Sequence, residues 1–236
     1  MDMLKIQDMS GPFLGLCEMC REPVQKIRQK KDLLVVSHVD ADGLTSAAII
    51  CTALERAGLN YKPIFFRQLD EPALDEIADY NPDLVIFTDL GSGMIQQICD
   101  RGLAAVVVDH HKPALSQARP MAHINPHLVG ADGALHLSGS GTSFLLARAL
   151  AATSEGNDDL AALAVVGAVG DLQDMAHGRL TGINRHILEI GSKAGAVSFG
   201  RDIKLFGRQT RPVYKMLEYS QDPYLPGLSG NEDACI

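Results

Sequence analysis

The chain has 236 residues, of which 46% are hydrophobic and 21% are charged, and its formal net charge is −8. This composition supports one large core, or one core plus a small appendage. It argues against a protein that coats nucleic acid nonspecifically, because affinity for phosphates depends on clustered lysine and arginine. The sequence has no apolar run long enough to span a membrane, and its N-terminus lacks the pattern of a secretion signal, so we expect a cytoplasmic protein without membrane contact.

The first predicted element is an N-terminal helix within residues 1–30. Its apolar face consists of Leu14, Cys17, Cys20, Val24 and Ile27, which recur at three- and four-residue spacing. Cys17 and Cys20 form an isolated CxxC pair, whereas a zinc site would need a second pair or a nearby histidine. The chain has five cysteines, an odd number, so we expect no disulfide framework and interpret this pair as part of the apolar face.

Strand and helix patterns alternate in the next part of the chain. Short apolar, β-branched runs predict four buried strands at 32–38, 61–68, 83–89 and 103–109. Helical patterns separate them at 43–58, 73–80 and 93–102. This alternation is typical of βαβ units and predicts an α/β fold, a doubly wound, mostly parallel sheet with helices on both faces. We assign residues 31–125 to this core.

The remaining residues, 126–236, are predicted to be a helical continuation of the same domain. Periodicity is lost from Pro113 to Gly141, which predicts a long loop. Helical patterns follow at 141–152, 158–171, 183–195 and 211–220, and the second is apolar nearly all round, so we expect it to be buried. Ser229 and Glu232 have the spacing of a capping box close to the last residue. We therefore expect the natural chain to continue into a further domain that this sequence lacks.

Acidic residues and histidines cluster where the predicted strands end. The residues concerned are Asp40 and Asp42 after the first strand, Asp89 after the third, and Asp109, His110 and His111 after the fourth. The carboxyl ends of parallel strands meet at one crevice, so these side chains are expected to converge. If the stretch after the first strand stays extended, Asp40 and Asp42 lie on the same face. Such crowding would cost several kcal/mol unless cations neutralise the charge.

This combination of side chains predicts a pair of divalent metal ions. Carboxylate oxygens and imidazole without thiolate suit Mn²⁺ or Mg²⁺, and the histidine favours manganese. Two such ions can activate a water molecule and take up charge on an attacked phosphoryl group. Asp171 follows Gly167 and Gly170, which permit close approach of the backbone, and we predict it as a further ligand.

The motifs HVDADG, TDLG, DHH and GAVGD, in that order, resemble the signature motifs of the DHH phosphoesterases, two-metal hydrolases of phosphodiesters and phosphoanhydrides. More narrowly, NPHLVGADG, LSGSGTSFLLARAL and LFGRQTRPVYKMLEYSQDPYLPGLSG resemble the archaeal branch of RecJ-type single-strand exonucleases, and the resemblance covers residues 30–236. It implies a C-terminal substrate-binding domain, which this sequence lacks. It also implies that the metal ligands are Asp40, Asp42, Asp89, His110 and Asp171.

The resemblance also implies a catalytic group formed by His111, Asp109 and His38. His111 would contact the scissile phosphate and protonate the leaving oxygen, while Asp109 would orient the histidines or complete the metal shell. His38 lies two residues before Asp40, whereas pyrophosphatase-like relatives space the corresponding histidine by four, so its role as a ligand is open. The other histidines of the long loop, His123 and His127 among them, are expected to be surface or hydrogen-bonding residues.

Two segments are predicted to bind substrate. Gly139, Ser140, Gly141 and Thr142 precede a helix, so their backbone N–H groups could hold a phosphate at its N-terminus. The segment 193–215 holds six basic residues and one acid, and we predict that Arg208 and Arg211 contact a phosphate backbone.

The leading functional hypothesis is a metal-dependent exonuclease acting on single-stranded DNA or RNA. One alternative is a phosphoesterase for small substrates such as short oligonucleotides, cyclic dinucleotides or pyrophosphate, because its active-site chemistry would be the same. Another is a non-catalytic replication scaffold that binds single-stranded DNA and replisome proteins, as the eukaryotic helicase-associated relative does. Loss of metal ligands would mark such a scaffold, and the sequence retains them all.

Overall fold

The computed structural model describes residues 9–153, 156–201, 205–208 and 210–236. They fall into two units, Met1–Ser198 and Phe199–Ile236. The division after Ser198 differs from the organisation predicted above, in which residues 126–236 form one continuation of the core.

The first unit is built on a five-stranded parallel sheet with the order β2-β1-β3-β4-β5. The strands are β1 (Leu33–His38), β2 (Tyr61–Phe66), β3 (Leu84–Thr88), β4 (Ala105–Val108) and β5 (Ala122–Ile124). The predicted α/β fold with a parallel sheet is confirmed. Strand β5 lies inside the predicted loop and was missed, because three residues are too few to show a strand periodicity.

Helices cover both faces of the sheet. They are α1 (Ser10–Met19), α2 (Arg21–Ile27), α3 (Ala41–Arg56), α4 (Glu71–Asp79), α5 (Ile95–Asp100), α6 (Gly139–Leu150), α7 (Ala161–Gly170) and α8 (Gly182–Lys193). Alternate residues of each central strand face opposite layers. Val35 and Ile86 pack in the larger core with α1–α3 and α6–α8, whereas Val36 and Phe87 pack in a smaller core with α4 and α5.

Two expectations about helix burial were wrong in detail. In α1, Leu14 is 65% exposed and Leu16 is fully buried, so Leu16 replaces Leu14 on a buried face that keeps Cys20, Val24 and Ile27. The valines Val166 and Val169 of α7 are 55% and 44% exposed, although the helix was expected to be buried all round. The small residues of α7 form its buried face, because they allow close approach to α3 and α6.

The second unit contains the helices α9 (Val213–Glu218) and α10 (Glu232–Cys235). The capping-box prediction was wrong, because Asn231 Oδ1 accepts the Ala234 N–H at 3.2 Å as the cap of α10. Ser229 Oγ instead accepts the Leu225 N–H at 2.8 Å. Across the described part of the chain, no helix has the length and apolar character needed to cross a membrane.

Candidate metal centre

The candidate site lies at the carboxyl edge of the three central strands. Residue pairing places Ser37 beside Thr88 and Thr88 beside Val108, so β1, β3 and β4 end at the same level of the sheet. The acids that follow these strands therefore emerge next to one another. Asp89 and Asp109 are 2% and 1% exposed, so two carboxylates are almost fully removed from water.

Three overlapping groups of side chains could each hold a metal ion. They are Asp89, Asp109, His110 and His111; His38, Asp40 and Asp89; and Asp42, His110 and Asp171. Within each group, one ligand atom per residue lies within 4.8 Å of the others. The structure thus brings together all eight residues predicted as catalytic or metal-binding. Asp89 and His110 each belong to two groups, an overlap that suits neighbouring ions sharing ligands.

His110 lies among the carboxylates. Its Nε2 is 3.2 Å from Asp89 Oδ1 and 3.7 Å from Asp42 Oδ2, and its Nδ1 donates to the Gly133 carbonyl at 2.7 Å. Burial by itself would lower the pKa of His110, but contact with Asp89 and the charges of Asp89 and Asp42 raise this pKa to about 10. In the protein alone, a protonated imidazole therefore supplies positive charge to the acidic cluster.

Asp89 carries the clearest sign of a cation site. Burial, opposed by His110 and reinforced by the Asp42 charge, raises its pKa to about 7. Asp89 Oδ1 accepts no hydrogen bond from the residues that the structure describes, although His110 Nε2 lies 3.2 Å away. A buried carboxylate oxygen without a donor is costly unless a cation binds it. Oxygen and imidazole donors around such an atom fit Mn²⁺ or Mg²⁺.

Asp89 also has an unusual backbone conformation. Its φ is +59°, in the left-handed region that few residues other than glycine, asparagine and aspartate adopt. The Asp89 N–H donates to the Val108 carbonyl at 3.0 Å, which ties the turn after β3 to the neighbouring strand. Backbone strain of this kind is concentrated at functional sites.

Asp42 is held by the start of helix α6. Its Oδ2 accepts the Gly139 N–H at 2.7 Å and its Oδ1 accepts the Ser140 N–H at 3.0 Å. Because α3 begins at Ala41, the chain does not stay extended, and Asp42 is buried while Asp40 is more exposed. A carboxylate at a helix N-terminus is favoured by the helix dipole and by the free N–H groups there.

This arrangement corrects the prediction for Gly139, Ser140, Gly141 and Thr142. All four residues are buried, and their N–H groups already have acceptors in the protein. Gly139 and Ser140 bind Asp42, Gly141 donates to Ser138 Oγ at 3.1 Å, and Thr142 donates to the Ser138 carbonyl at 2.9 Å. The helix start does hold an anion, but the anion is an internal carboxylate rather than a substrate phosphate.

Asp40 and His38 form a pair at the edge of the cluster. Asp40 caps α3 by accepting the Gly43 N–H at 2.9 Å, and its other oxygen lies 2.8 Å from His38 Nδ1. His38 Nε2 lies 2.9 Å from the Arg67 carbonyl, which can only accept, so Nε2 carries a proton. The Nδ1 atom thus faces the acids, where it can bind a metal.

Asp109 orients the two histidines that follow it. Its Oδ1 accepts from His110 N at 2.7 Å, His111 N at 3.1 Å and His111 Nδ1 at 2.8 Å, and its Oδ2 accepts from Ser92 N at 2.9 Å. Burial would raise the pKa of Asp109, but the His111 hydrogen bond and the histidine charges hold it well below its usual range. Three of the four donors to Asp109 belong to His110 and His111, so this carboxylate is placed to orient the two histidines.

His111 combines a fixed ring with access to solvent. Its side chain is 59% exposed, and its Nδ1 bonds to Asp109. That hydrogen bond raises the pKa of His111, against the smaller effect of burial. The ring is therefore charged over a wider pH range than a free histidine.

Comparison with known proteins identifies the family. Residues 32–168 match the DHH family, N-terminal domain, and residues 205–236 match the DHH-CID domain. The chain belongs to the DHH family.

Several relatives align with most of this DHH chain. An uncharacterized protein of Methanocaldococcus jannaschii is 31% identical over 206 residues, covering 85% of this chain and 46% of the relative. The single-stranded-DNA-specific exonuclease RecJ of Bacillus subtilis is 28% identical over 180 residues, covering 71% of this chain and 23% of RecJ. The DHH chain thus spans less than half the length of these curated relatives.

Solved structures share the same architecture. A crystal structure of exonuclease RecJ bound to manganese has a TM-score of 0.59 and 25% identity, covering 80% of the DHH chain and 49% of RecJ. CDC45 from Entamoeba histolytica has a TM-score of 0.59 at 13% identity, covering 87% and 46%, and shares the fold alone. The resemblance to DHH phosphoesterases and RecJ is confirmed.

The predicted phosphate contacts of the DHH chain lie in the second unit. Arg208 and Arg211 are exposed, and the Arg211 guanidinium lies 5.6 Å and 5.3 Å from the ring centroids of Phe206 and Tyr219. Lys215 is paired with Glu218 and Glu232 at 2.7 and 2.8 Å, which lowers the effective positive charge of this segment. Lys204 lies outside the described residues. The nucleic-acid role of the two arginines stays a prediction.

Several polar residues of the site were missed by sequence reasoning. Ser92 Oγ bonds to His123 Nε2 and to the Asn125 amide, each at 2.9 Å, and Asn125 also donates to the His111 carbonyl at 2.9 Å. Gln173 and Asn184 are buried behind Asp171. Gln173 lies inside the GAVGDLQD stretch and so was next to a recognised motif, whereas Asn184 lies in an ordinary helix pattern that gave no signal.

We expect Gly167→Ala to destabilise the DHH domain by about 1–3 kcal/mol. A Cβ at Gly167 would overlap the side-chain oxygens of Asp42, Thr45 and Ser140, so the packing of α7 against the carboxylate would have to open. Urea unfolding in EDTA measures the change. Gly93→Ala is the control, because a Cβ there meets nothing within 4 Å. Equal stability of the two variants would contradict this account of the glycine.

Proposed function

We propose that this DHH domain hydrolyses phosphodiester bonds in single-stranded DNA or RNA from one end, with two Mn²⁺ or Mg²⁺ ions. The observation that carries the proposal is the convergence of strand-end carboxylates and Asp171 around His110. Among the described residues, Asp89 Oδ1 in this cluster has no hydrogen-bond donor. The name of the Bacillus subtilis relative and the manganese bound in a RecJ crystal structure support the same chemistry and metal.

The metal ions would be held by Asp40, Asp42, Asp89, His110 and Asp171, with His38 Nδ1 as a further candidate. When bound, divalent ions supply a water nucleophile at neutral pH and offset charge on the attacked phosphoryl group. The protein's own part is to hold the carboxylates and the imidazole in place. Asp42 is held by two backbone N–H groups, and His110 by the Gly133 carbonyl.

His111 would act as the proton donor to the leaving oxygen. As the phosphorus–oxygen bond breaks, that oxygen gains charge and takes a proton from Nε2 of the charged ring. Asp109 stabilises the charged ring through Nδ1 and fixes its orientation. The raised pKa of His111 keeps this proton on the ring up to a higher pH than in a free histidine.

The alternative, a phosphoesterase for small substrates, differs in substrate length rather than in chemistry. We expect kcat/KM with Mn²⁺ to be at least about tenfold higher for a 30-nucleotide single strand than for a dinucleotide, because contacts away from the scissile bond add binding energy. End-labelled substrates resolved on gels measure this, and successive shortening from one end distinguishes an exonuclease. Equal kcat/KM for both lengths would favour the small-substrate alternative.

The single strand is the partner that we propose for the basic segment of the second unit. The double variant Arg208→Ala, Arg211→Ala should weaken single-strand binding and reduce its salt dependence. Arg21→Ala, whose partner is Glu18 on α1, is the control.

A replication scaffold without hydrolysis is less favoured, because every predicted ligand is present. Binding to replisome proteins can be tested separately by pull-down.

A further inference from the structure

Behind the candidate metal centre lies a chain of buried amide hydrogen bonds. Ser138 N donates to Asn184 Oδ1 at 3.3 Å, and Asn184 Nδ2 donates to Gln173 Oε1 at 2.6 Å. Gln173 Nε2 then donates at 2.8 Å both to Asp171 Oδ2 and to the Gly133 carbonyl. Gln173 and Asn184 are 3% and 2% exposed, so water does not compete for these bonds.

The direction of this chain is fixed by its two ends. A backbone N–H at Ser138 can only donate, and the Asp171 carboxylate and Gly133 carbonyl can only accept. Asn184 must therefore turn its oxygen to Ser138 and its NH₂ to Gln173. Gln173 must in turn present its NH₂ to the site. Reversing either amide would place oxygen against oxygen.

This chain of hydrogen bonds reaches three predicted metal ligands. Gln173 binds Asp171 directly, and the Gly133 carbonyl that it contacts also accepts from His110 Nδ1, which leaves Nε2 facing the carboxylates. At the other end, Ser138 caps α6, whose first N–H groups hold Asp42. Asp42, His110 and Asp171 together form one of the three candidate metal groups.

We propose that Gln173 and Asn184 are positioning residues for the metal ion bound by Asp42, His110 and Asp171. The proposal rests on the proposed function, in that it assumes a divalent ion at this site. Groups that hydrogen-bond to metal ligands fix the orientation of those ligands, and their loss typically weakens metal binding by about 10–100-fold. Neither amide belongs to the predicted ligand set.

Two isosteric variants test the proposal. Gln173→Glu keeps the acceptor for Asn184 and removes the donor to Asp171 and Gly133. Asn184→Asp touches none of the three ligands, but it offers only acceptors, so the Gln173 amide must reverse and turn its oxygen toward Asp171. Both variants are therefore expected to weaken Mn²⁺ binding. Asn157→Asp is the matched control, because Asn157 is a buried amide bonded to the Ala147 carbonyl and to Arg56.

Mn²⁺ binding is measured by isothermal titration and by electron paramagnetic resonance of free Mn²⁺, and unfolding in EDTA reports on the fold. We expect about 10–100-fold weaker binding in Gln173→Glu and Asn184→Asp, and unchanged binding in Asn157→Asp. In a nuclease assay, the Mn²⁺ concentration for half-maximal rate should rise, and kcat at saturating Mn²⁺ should recover in part. Mn²⁺ affinity equal to that of the wild type in both variants, whatever their stability, would overturn the proposal.

The two proposals fail in different ways. If the wild type binds Mn²⁺ but hydrolyses no phosphodiester, the proposed function fails, and weaker binding in the variants still supports the positioning role. If the wild type hydrolyses single strands and the variants bind Mn²⁺ normally, the positioning role fails alone.

Discussion

Replacement of Asp89 by asparagine is expected to reduce phosphodiester hydrolysis by at least about 1,000-fold. Asp89 belongs to two of the three candidate metal groups, so its loss affects more than one ion position. Divalent ions contribute several kcal/mol to stabilisation of the transition state, and each 1.36 kcal/mol corresponds to about tenfold in rate. Asparagine keeps the side-chain shape and tolerates the φ of +59° at this position, whereas alanine would add strain.

The same variant should fold normally without metal. The raised pKa of Asp89 means that the buried carboxylate is unfavourable when ionised, so a neutral amide removes repulsion from Asp42 and Asp109. We expect urea unfolding of Asp89→Asn in EDTA to occur at the same or a higher urea concentration than for the wild type. Added Mn²⁺ should stabilise the variant less than it stabilises the wild type.

Initial rates on an end-labelled single strand at saturating Mn²⁺ measure the loss of activity. Asp100→Asn is the control, since Asp100 is an exposed acid bonded to Gln96. Activity within tenfold of the wild type in a folded Asp89→Asn protein would contradict the metal assignment. A variant that fails to fold would instead contradict the account of Asp89 as an unfavourable buried charge.

The convergence of the site was predictable from the sequence because it follows from strand topology. Apolar β-branched runs ending in Asp40, Asp89 and Asp109 place acids at the carboxyl ends of strands, and parallel pairing brings those ends together. The observed order sets β1, β3 and β4 side by side. The apolar runs alone predict these three strands, and the motif order of the resemblance supported their grouping at one site.

The supporting contacts were not predictable, because they join residues far apart in sequence through single hydrogen bonds. Asn184 lies 46 residues from Ser138, and Asp42 lies 97 residues from Gly139. Sequence reasoning correctly placed an anion at the start of α6 but assigned the wrong anion, because a helix N-terminus does not specify its partner. Only the packing of α3 against α6 determines that Asp42 fills it.

Metal ions and protons should compete for this centre. The two raised pKa values determine whether stability and Mn²⁺ affinity rise or fall with pH. The pKa of Asp89 is raised to about 7 and that of His110 to about 10. An aspartate in an unfolded chain has a pKa of about 3.9 and a histidine about 6.5. Between pH 6 and pH 9 the metal-free native state therefore binds more protons than the unfolded state. Its free energy of unfolding should fall as pH rises through this range.

The affinity for Mn²⁺ should, in contrast, rise as pH rises. Metal ligands must be deprotonated, so binding releases the His110 proton and, below pH 7, also the Asp89 proton. Each released proton makes affinity rise about tenfold per pH unit, and we expect at least about 100-fold tighter Mn²⁺ binding at pH 8 than at pH 6. Isothermal titration in buffers of different ionisation enthalpy counts the protons directly. In Asp89→Asn the count at pH 6 should fall to one or below, because His110 is then the remaining source and has lost the Asp89 contact that raises its pKa. An Mn²⁺ affinity that stays constant from pH 6 to pH 8 would mean that the ion does not replace these protons and binds elsewhere.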